Sequence, residues 1–434
     1  MRVGRERGAD PAGALPGGEH LGLHALPAAF DPRLTQGLQH RQRKLARNGF
    51  LCENSGMTEP EYIDSLERLE PVLRHLSKKA RLAVDLEADS YHHYGDRLCL
   101  LQIATDQKAF LVDPLALGDG ILGLAPIFAD ARKEKVFHDG DYDGRMLMRS
   151  LGVRPQNIFD TMLAARLLGK TNVGLAPLLE EYFGIQQNKY YQKADWSRRP
   201  LAPALLEYAA LDTAYLLRLR DRLEAELKAK GRLQWAREEF RLLRESLEPM
   251  PKRAANFMRV KGARRLTPRQ LAILQALLEW RESLARRMDV PPFKVIGNER
   301  LLKIAEECPR SQHRIDQSPN LTEKQKRLYR KGIVKAVDEA MQLPEEELPS
   351  FPVSQRGRPD HRAERVLAKL KSWRDRMAGQ LGMDPGVLLP NAALSELSRS
   401  RPADEKELAS MDIMKTWQCG LLGAEVLELI RKVR

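Results

Sequence analysis

The chain has 434 residues and a mass of 49.4 kDa, which corresponds to about three domains of ordinary size. Hydrophobic residues make up 43% and charged residues 30%, as in folded globular proteins. No apolar run approaches the roughly 18 residues that a membrane-spanning helix needs. The four cysteines lack both the paired spacing of a zinc site and the density of a disulfide framework. This pattern favours a reducing compartment, and we expect a cytoplasmic location.

The net charge of +13 is unevenly distributed along the chain. Residues 58–212 hold 19 basic and 23 acidic side chains, whereas residues 213–434 hold 45 basic and 31 acidic ones. An acidic module followed by a strongly basic one is typical of a protein that binds a cation in one part and a polyanion with the other. Helices with ordinary solvated charges would give the same totals, so composition leaves both interpretations open.

The first 57 residues show neither helical nor strand periodicity, and Gly and Pro recur in them. No apolar run of the length of a secretory signal follows the early arginines, and Glu6, Asp10 and Glu19 argue against an organelle transit peptide. Met57 directly precedes a regularly patterned region. We therefore expect residues 1–57 to be a disordered extension or the product of a wrongly chosen start codon.

Residues 58–245 are expected to form an α/β domain with a mixed central sheet flanked by helices. Thr58-Glu-Pro-Glu61 has the residues of a helix start, and a helix should continue to about Ser77. Short runs rich in Leu, Val and Ile, bounded by turn residues, predict strands at residues 81–86, 98–104, 109–112 and 135–138.

Beyond residue 211 almost every segment has a helical composition, and this half contains an internal repeat with an offset of 93 residues. Two copies of a small helical module are therefore predicted, at residues 260–342 and 359–434, joined by an acidic, proline-rich linker at 343–358. The identities that share the offset are Trp280-Arg281 with Trp373-Arg374, Ala285 with Ala378, Pro292 with Pro385, Asn298 with Asn391, Leu301 with Leu394, and Pro309 with Pro402.

Three acidic segments could carry chemistry. Asp85-Leu86-Glu87 ends the first predicted strand, where alternation places both carboxylates on one face, about 7 Å apart. Asp143 lies on a helix after a His-containing strand, and Tyr208 and Asp212 share a helical face through their spacing of four. Grouped carboxylates are costly unless a cation neutralises them, and hard oxygen ligands suit Mg²⁺ or Mn²⁺.

The order DxE, then an Asp on a helix, then YxxxD resembles the DEDD superfamily of 3′–5′ exonucleases in its tyrosine-bearing branch. More narrowly, the chain resembles the ribonuclease D family, through residues 84–90, 98–103 and 159–161 and through Asp195-Trp-Ser-Arg-Arg-Pro-Leu201. The helical repeats resemble the HRDC module, a small nucleic-acid-binding domain. The resemblance covers residues 58–434, and all four acids and the tyrosine are present.

This resemblance implies a ribonuclease H-like catalytic domain with 3′–5′ exoribonuclease activity. Asp85, Glu87, Asp143 and Asp212 would hold two divalent cations, Mg²⁺ or Mn²⁺, about 4 Å apart, which activate a water and stabilise the departing 3′ oxygen. Tyr208 would position that water or help to deprotonate it. The expected substrate is RNA with a free 3′ end, with tRNA precursors as the leading case, and the products are nucleoside 5′-monophosphates. A monomer is favoured, and no membrane partner is expected.

Other side chains carry secondary expectations. Lys189, Tyr190 and Lys193 could hold 3′-terminal nucleotides or form an ordinary solvated loop. A basic run before the first repeat could bind phosphates or act as a charged linker; it comprises Lys252, Arg253, Arg259, Lys261, Arg264 and Arg265. We expect His138, Trp196, Arg198 and Arg199 to be scaffold residues and Trp280 and Trp373 to be core residues. Asp139 and Asp141 are expected either to cap a helix or to support the metal ligands, and Asp160 is expected to cap the following helix, with a role in the site as the alternative.

Two other functions remain compatible with these residues. A 3′–5′ DNA exonuclease would share the same four acids, since sequence alone does not reveal how a 2′-hydroxyl is recognised. A non-catalytic nucleic-acid-binding scaffold would bind without metal and without turnover. The absence of a GxxxxGK[ST] nucleotide-binding loop excludes a fused helicase.

Overall fold

The computed structural model describes residues 59–187, 189–249, 254–352 and 360–433. The expectations for residues 1–57, and those for Lys252 and Arg253, lie outside these ranges. None of the helices within them combines the length and the hydrophobicity that a membrane crossing requires.

The predicted mixed sheet is confirmed, with six strands in the N-terminal part of the described chain. They are β1 (Glu61–Ile63), β2 (Arg81–Ala88), β3 (Leu98–Ala104), β4 (Ala109–Val112), β5 (Glu134–Phe137) and β6 (Ile158–Asp160). Their spatial order is β1-β4-β3-β2-β5-β6. Strand β2 is central, because it pairs antiparallel with β3 and parallel with β5.

Helices flank this sheet and make up nearly all the regular structure that follows it. Those of the sheet domain are α1 (Leu66–Ser77), α2 (Pro114–Leu117), α3 (Ala125–Ala129), α4 (Gly140–Leu151), α5 (Thr161–Leu167), α6 (Leu175–Phe183), α7 (Pro203–Ala214), α8 (Leu216–Ala229) and α9 (Leu233–Ser246). Those of the first repeat are α10 (Pro268–Arg287), α11 (Pro292–Val295), α12 (Asn298–Glu307), α13 (Gln312–Gln317) and α14 (Glu323–Met341). Those of the second repeat are α15 (His361–Leu381), α16 (Pro385–Leu388), α17 (Asn391–Ser400), α18 (Glu405–Ser410) and α19 (Thr416–Lys432).

The prediction of a helix from residue 58 is wrong at its start. Residues Glu61–Ile63 form β1, and the helix begins at Leu66. The reason is tertiary: β1 adds a parallel edge to β4, Ile63 is buried in the core, and the Tyr62 hydroxyl donates to Asp113 at 2.5 Å. A capping pattern in the sequence does not reveal this pairing, because its partner strand lies about fifty residues away.

The repeat with an offset of 93 residues is confirmed. Each helix of the second copy begins 93 residues after its counterpart in the first. The buried arginines show the same equivalence: Arg281 donates to the Ile296 carbonyl and to Asn298, and Arg374 donates to the Leu389 carbonyl and to Asn391. An arginine that closes the short turn between two helices is therefore part of this module.

Of the tryptophans that precede these arginines, Trp373 is a core residue, as predicted, whereas Trp280 is half-buried. Trp373 is buried and donates its ring N–H to Glu425 at 2.7 Å. Trp280 packs against the core of the first repeat, where Gly332 leaves room for its ring: a Cβ at that glycine would lie 2.3 Å from Trp280 Nε1. The segment predicted as a linker is partly packed, because Leu343, Leu348 and Phe351 contact this same core.

Candidate active site

Acidic side chains from three elements meet near the carboxyl end of β2. Asp85 and Glu87 lie on β2 and Asp212 lies on α7, and one carboxylate oxygen from each lies within 4.8 Å of the others. In the described part of the chain, this is the one group of His, Cys, Asp or Glu residues with the spacing of a metal site. Asp143, in the first turn of α4, is buried and interacts through its charge with Asp85 and Asp212, although it lies outside the 4.8 Å group.

The sheet topology explains why residues distant in sequence converge. Strands β2, β5 and β6 are parallel neighbours, so their carboxyl ends lie at one edge of the sheet. Helix α4 begins directly after β5, which places Asp143 at that edge. The connection is tight: a Cβ on Gly140 would lie 2.8 Å from the Phe137 Cβ, and Asp139 adopts a left-handed conformation with φ of 63°.

Asp160 ties two helix starts together beneath the acidic group. Its carboxylate accepts from the Leu163 amide at 2.9 Å, which confirms the predicted cap of α5, and from the Gly140 amide at 2.7 Å. Neither Asp139 nor Asp141 caps α4 through its side chain, so the capping alternative for these two residues is wrong. Asp139 occupies the N-cap position without a side-chain hydrogen bond, since its backbone is left-handed, and Asp141 pairs instead with Arg145 at 3.0 Å.

The four carboxyl groups favour protonation when no cation is present. Burial raises the pKa of Asp85 to about 7, and burial together with neighbouring carboxylates raises the pKa values of Glu87, Asp143 and Asp212 well above their ordinary range. For Glu87 and Asp143 the charged groups that contribute to this shift are other carboxylates. Mutual repulsion in a buried site is the electrostatic condition that a bound divalent cation relieves.

The donor set fits a hard divalent cation. Carboxylate oxygens are the ligands that Mg²⁺ and Mn²⁺ take in proteins, whereas a zinc site would be expected to include His or Cys ligands. Asp85, Glu87 and Asp212 supply only oxygen, and Asp143 adds a further carboxylate beside them. These residues therefore have the chemistry to bind one or more such ions.

Tyr208 lies one helical turn before Asp212 on α7 and is buried. Its ring contacts those of Tyr191, at a centroid distance of 5.8 Å, and Trp196, at 6.1 Å. The Gln192 side chain interacts with its hydroxyl. Burial, followed by the charges of Asp212, Glu87 and Asp85, raises the pKa of Tyr208, so the hydroxyl is neutral at pH 7 and can donate a hydrogen bond.

The segment Asp195–Leu201 supports α7, and its residues act as the predicted scaffold. Trp196 is buried under Tyr208. Arg199 binds Asp113 through two hydrogen bonds of 2.5 and 2.7 Å and donates to the Cys99 carbonyl at 2.7 Å. Arg198 remains at the surface, paired with Asp195 at 3.1 Å.

His138 has the contacts of a structural residue. Its Nδ1 lies 2.9 Å from the hydroxyl of Thr161, which itself donates to the Phe137 carbonyl. Burial and the charge of Arg166 lower the pKa of His138 to about 4, which keeps the imidazole neutral at pH 7.

The weaker substrate-binding candidates divide into two groups. Tyr190 and Lys193 lie on the 3₁₀ turn Lys189–Lys193, which carries Tyr191 to the Tyr208 ring and therefore borders the site. Arg264 and Arg265 instead make contacts within the first repeat: Arg264 lies over the Phe351 ring at 4.6 Å, and Arg265 pairs with Glu306 at 2.9 Å. These contacts direct both arginines into the first repeat rather than toward the acidic group.

Three glutamines near the site were missed by sequence reasoning. Gln187 donates to Asp212, and the side chain of Gln192 interacts with the Tyr208 hydroxyl. Gln102 lies opposite Asp85 in the antiparallel pair of β2 and β3, fully buried, with neither amide atom hydrogen-bonded within the described protein. The strand pairing could have pointed to Gln102, whereas nothing in the local sequence marks Gln187 or Gln192.

Comparison with known protein families assigns two kinds of domain to this architecture. Residues 60–228 match a 3′–5′ exonuclease family, and residues 270–337 and 363–430 each match the HRDC domain. The two HRDC matches again differ by 93 residues, in agreement with the internal repeat.

Individual relatives support the same assignment. The chain is 36% identical over 263 residues to exosome complex component 10 of Mus musculus, covering 59% of this chain and 30% of that protein. It is 31% identical over 258 residues to ribonuclease D of Gluconacetobacter diazotrophicus, covering 59% of this chain and 65% of the relative. The chain thus spans less than a third of the length of the mouse relative and about two thirds of that of the bacterial one.

Two solved structures extend the likeness to the fold. Ribonuclease D of Escherichia coli, described as an exoribonuclease involved in structured RNA processing, superposes with a TM-score of 0.68 at 25% identity, covering 86% of this chain and 99% of that one. The catalytic core of RRP6 from Trypanosoma brucei gives a TM-score of 0.58 at 29% identity, covering 65% and 79% respectively. The first match spans both the sheet domain and the helical half.

Proposed function

We propose that this chain, which joins a domain of the 3′–5′ exonuclease family to two HRDC domains, is a ribonuclease D-like 3′–5′ exoribonuclease that trims the 3′ ends of structured RNA. The observation that carries the proposal is the convergence of Asp85, Glu87 and Asp212, with Asp143 and Tyr208 beside them. A scaffold that only binds nucleic acid would gain nothing from four neighbouring carboxyl groups, two buried and two half-buried, because grouping them is costly without a cation.

Asp85, Glu87, Asp143 and Asp212 are the proposed ligands of two divalent cations, Mg²⁺ or Mn²⁺. When bound, such ions lower the pKa of a coordinated water and neutralise charge on the phosphate and on the leaving 3′ oxygen. The reaction is hydrolysis: water attacks phosphorus, the bond from phosphorus to the 3′ oxygen breaks, and that oxygen takes up a proton. The terminal nucleotide leaves as a nucleoside 5′-monophosphate, and the shortened strand ends in a new 3′-hydroxyl.

Tyr208 is proposed to orient the attacking water by donating its hydroxyl hydrogen. Even an unperturbed tyrosine, with a pKa near 10, is mostly protonated at pH 7, and burial raises the pKa further. Orientation is therefore the role we assign, rather than proton abstraction. Gln187 holds one oxygen of Asp212, the carboxylate one helical turn after Tyr208.

The substrate we propose is RNA with a short single-stranded 3′ extension on a folded body, with tRNA precursors as the leading case. Tyr190 and Lys193 border the site on the turn that carries Tyr191, and they would contact the last nucleotides. The excess of basic residues after residue 212 suits phosphate contacts that do not depend on sequence. We place the enzyme in the cytoplasm as a monomer, which light scattering of the purified chain tests.

The test is 3′-end shortening of a 5′-labelled tRNA with a short 3′ tail, in Mg²⁺ or Mn²⁺, beside a DNA oligonucleotide of the same sequence as the tail. Stepwise shortening of the RNA that EDTA abolishes is expected. Asp143→Asn should reduce the rate on the order of 10³-fold, because it removes a charge from the site. Asp141→Asn is the matched control on the same helix, since Asp141 pairs with Arg145 outside the acidic group.

Three results would contradict parts of this proposal. Binding without shortening, unchanged by EDTA or by Asp143→Asn, would leave a nucleic-acid-binding scaffold. Faster digestion of the DNA than of the RNA would leave the two-metal chemistry and overturn the choice of substrate. Equal loss in Asp141→Asn and Asp143→Asn would show that the helix, and not the ligand, was damaged.

A further inference from the structure

The loop between β2 and β3 connects the acidic site to the first repeat. It begins two residues after Glu87 and is closed by the fully buried Asp89, which accepts from the Arg97 amide at 2.8 Å and from the Arg97 side chain at 2.7 Å. The amides of His92 and His93 donate to the Asp89 carbonyl at 2.8 and 3.0 Å. These bonds fix the loop at its base, so the side chains at its tip are held in place.

The same loop binds the end of α10 through polar contacts. Asp289, which follows α10 in a left-handed conformation, accepts from the Tyr94 amide at 3.2 Å and lies 2.6 Å from His93 Nδ1. His93 Nε2 lies 2.9 Å from the Ser197 hydroxyl, so the loop also contacts the segment below Tyr208. Tyr94 donates to Glu282 at 2.7 Å. The loop therefore joins the first repeat to the sheet domain beside the site.

Two exposed aromatic rings meet across this junction. Tyr91, at the tip of the loop, and Phe293, on α11 of the first repeat, pack edge to face with a centroid distance of 5.6 Å. They remain 47% and 52% exposed, so contact between them buries only part of each ring. Exposed aromatic pairs of this kind are more costly in water than polar side chains would be, and their open faces suit another flat, partly apolar group.

A continuous series of contacts connects this pair to the proposed catalytic tyrosine. Tyr208 contacts Tyr191, and the turn that carries Tyr191 also carries Lys193. The Lys193 ammonium lies 5.7 Å from the centroid of the Tyr91 ring, and the Lys193 carbonyl is hydrogen-bonded to His92 Nε2 at 3.0 Å. Aromatic rings interleaved with a cation are the arrangement by which proteins bind single-stranded nucleic acid: bases stack and phosphates pair.

We propose that Tyr91 and Phe293 form a base-stacking platform, contributed by two domains, that holds nucleotides of single-stranded RNA on the 5′ side of the nucleotide being removed. Lys193 supplies the phosphate contact between the platform and the acidic site. This inference rests on the proposed exoribonuclease function and adds to it a substrate subsite to which the first repeat contributes Phe293. It predicts that substrates long enough to reach the platform depend on Phe293, whereas a dinucleotide does not.

The binding test uses the Asp143→Asn chain in Mg²⁺ with a single-stranded RNA of about ten nucleotides, within the range of site sizes for such proteins. Tyr91→Ala and Phe293→Ala should each weaken binding roughly tenfold, since loss of one stacked base by alanine substitution has about this effect. Tyr91→Phe and Phe293→Tyr should retain affinity, because each keeps an aromatic face. Leu328→Ala is the matched control, as Leu328 is also 52% exposed in the first repeat.

A second measurement locates the stacked nucleotide. 2-Aminopurine placed at successive positions from the 3′ end should be quenched on binding at a position on the 5′ side of the terminal nucleotide, and Phe293→Ala should restore its fluorescence. In the catalytically intact chain, Phe293→Ala should leave the rate of dinucleotide hydrolysis unchanged. Thermal unfolding of each variant distinguishes loss of stacking from a loosened domain junction.

The outcomes distinguish a failure of the stacking platform from a failure of the proposed exoribonuclease function. If the intact chain shortens RNA and the alanine variants bind as tightly as their parent, the platform is wrong and the function stands. If dinucleotide hydrolysis falls as much as binding of the longer RNA, the substitutions act on the site itself and the platform is again overturned. If no RNA is shortened at all, the function fails, while quenching of 2-aminopurine still decides whether the rings stack bases.

Discussion

The two helical repeats have the same fold but contact the exonuclease domain by different means. The second repeat shares a hydrophobic core with it: Leu370, Trp373 and Trp417 belong to the same cluster as Phe159 and Phe240. The first repeat has a core of its own and meets the domain through the polar loop around His93 and Asp289. Residues at equivalent repeat positions follow this division, because Asp289 and Phe293 in the first copy correspond to Gly382 and Gly386 in the second.

This difference indicates two uses for one module. A shared core fixes the second repeat as a structural part of the domain, since separating them would expose apolar surface. A polar junction with exposed aromatic rings leaves the first repeat able to contribute to a surface that a substrate reaches. The HRDC match alone does not distinguish the copies, and the distinction lies in which side chains each presents to the sheet domain.

The largest expected effect is on the shared core. Trp417 stacks on Trp235 at a centroid distance of 4.8 Å and donates to Glu239 at 2.8 Å. Trp417→Ala should therefore lower the free energy of unfolding by about 3–5 kcal/mol, as for other buried aromatic residues. Hydrogen exchange should show the loss in the second repeat and in α9 together. In the comparison variant Trp280→Ala, the increase in hydrogen exchange should stay within the first repeat. An increase in the sheet domain as well would contradict the conclusion that the first repeat has a core of its own.

A closer test of docking uses two glycines. Gly169, with φ of 82°, lies against the second repeat, and a Cβ there would come 1.7 Å from the Gly382 carbonyl oxygen. Gly184 has a similar φ of 68° but open space around it. Gly169→Ala should lower the free energy of unfolding by about 2–4 kcal/mol, because it adds both backbone strain and overpacking. Gly184→Ala should lower it by about 1–2 kcal/mol, because it adds only the strain. Urea unfolding measures the free energy of unfolding of both variants. Equal decreases would show that the contact between residue 169 and the Gly382 carbonyl adjusts without a loss of stability.

The acidic cluster should respond to pH independently of both repeats. The folded pKa of Asp85 is about 7 and those of its neighbours are also raised, so between about pH 4 and pH 7 the folded chain binds more protons than the unfolded one. The stability of the metal-free chain should therefore fall as pH rises through this window. Asp143→Asn should make the fall shallower and raise stability at pH 7.5 by about 1 kcal/mol or more.

Thermal unfolding in EDTA at a series of pH values measures this effect. Addition of Mg²⁺ or Mn²⁺ at pH 7.5 should restore stability to the natural chain more than to Asp143→Asn, because binding to the folded state stabilises it. The pH-matched Asp141→Asn chain is the control for loss of one surface charge. Stability that rises with pH in EDTA, by the same amount in all three chains, would contradict the assigned pKa shifts.

The smallest expected effect concerns the polar junction. Asp289→Ala removes the bonds to His93 and to the Tyr94 amide, which lie near the surface. We expect an increase of about threefold to tenfold in KM for long RNA, with kcat for a dinucleotide unchanged, because hydrogen bonds of this type contribute modestly. Asp316→Ala, which removes the Arg330 pair elsewhere in the first repeat, is the control. A large drop in global stability would show that the junction is structural after all.

Several features of the site could be predicted because they are local. The DxE on one strand, the i,i+4 pair Tyr208 and Asp212, and the cap formed by Asp160 each depend on the period of a single element or on a few neighbouring residues. Their assembly, in contrast, depends on strand order, since only the parallel pairing of β2 and β5 brings α4 beside Asp85. The error at residues 61–63 has the same origin: a short strand at a sheet edge is stabilised by its partner rather than by its own pattern.

The amino-acid sequence by itself determined the α/β class of the first domain, the two helical modules and their offset of 93 residues, because hydrophobic periodicity and repeated identities are properties of the chain alone. The tertiary structure decided which repeat joins the core and which one meets the site. Contacts such as Tyr91 with Phe293, Gln187 with Asp212 and Trp235 with Trp417 connect residues distant in sequence. They arise only when the elements dock, because docking sets which exposed faces come together and which become buried.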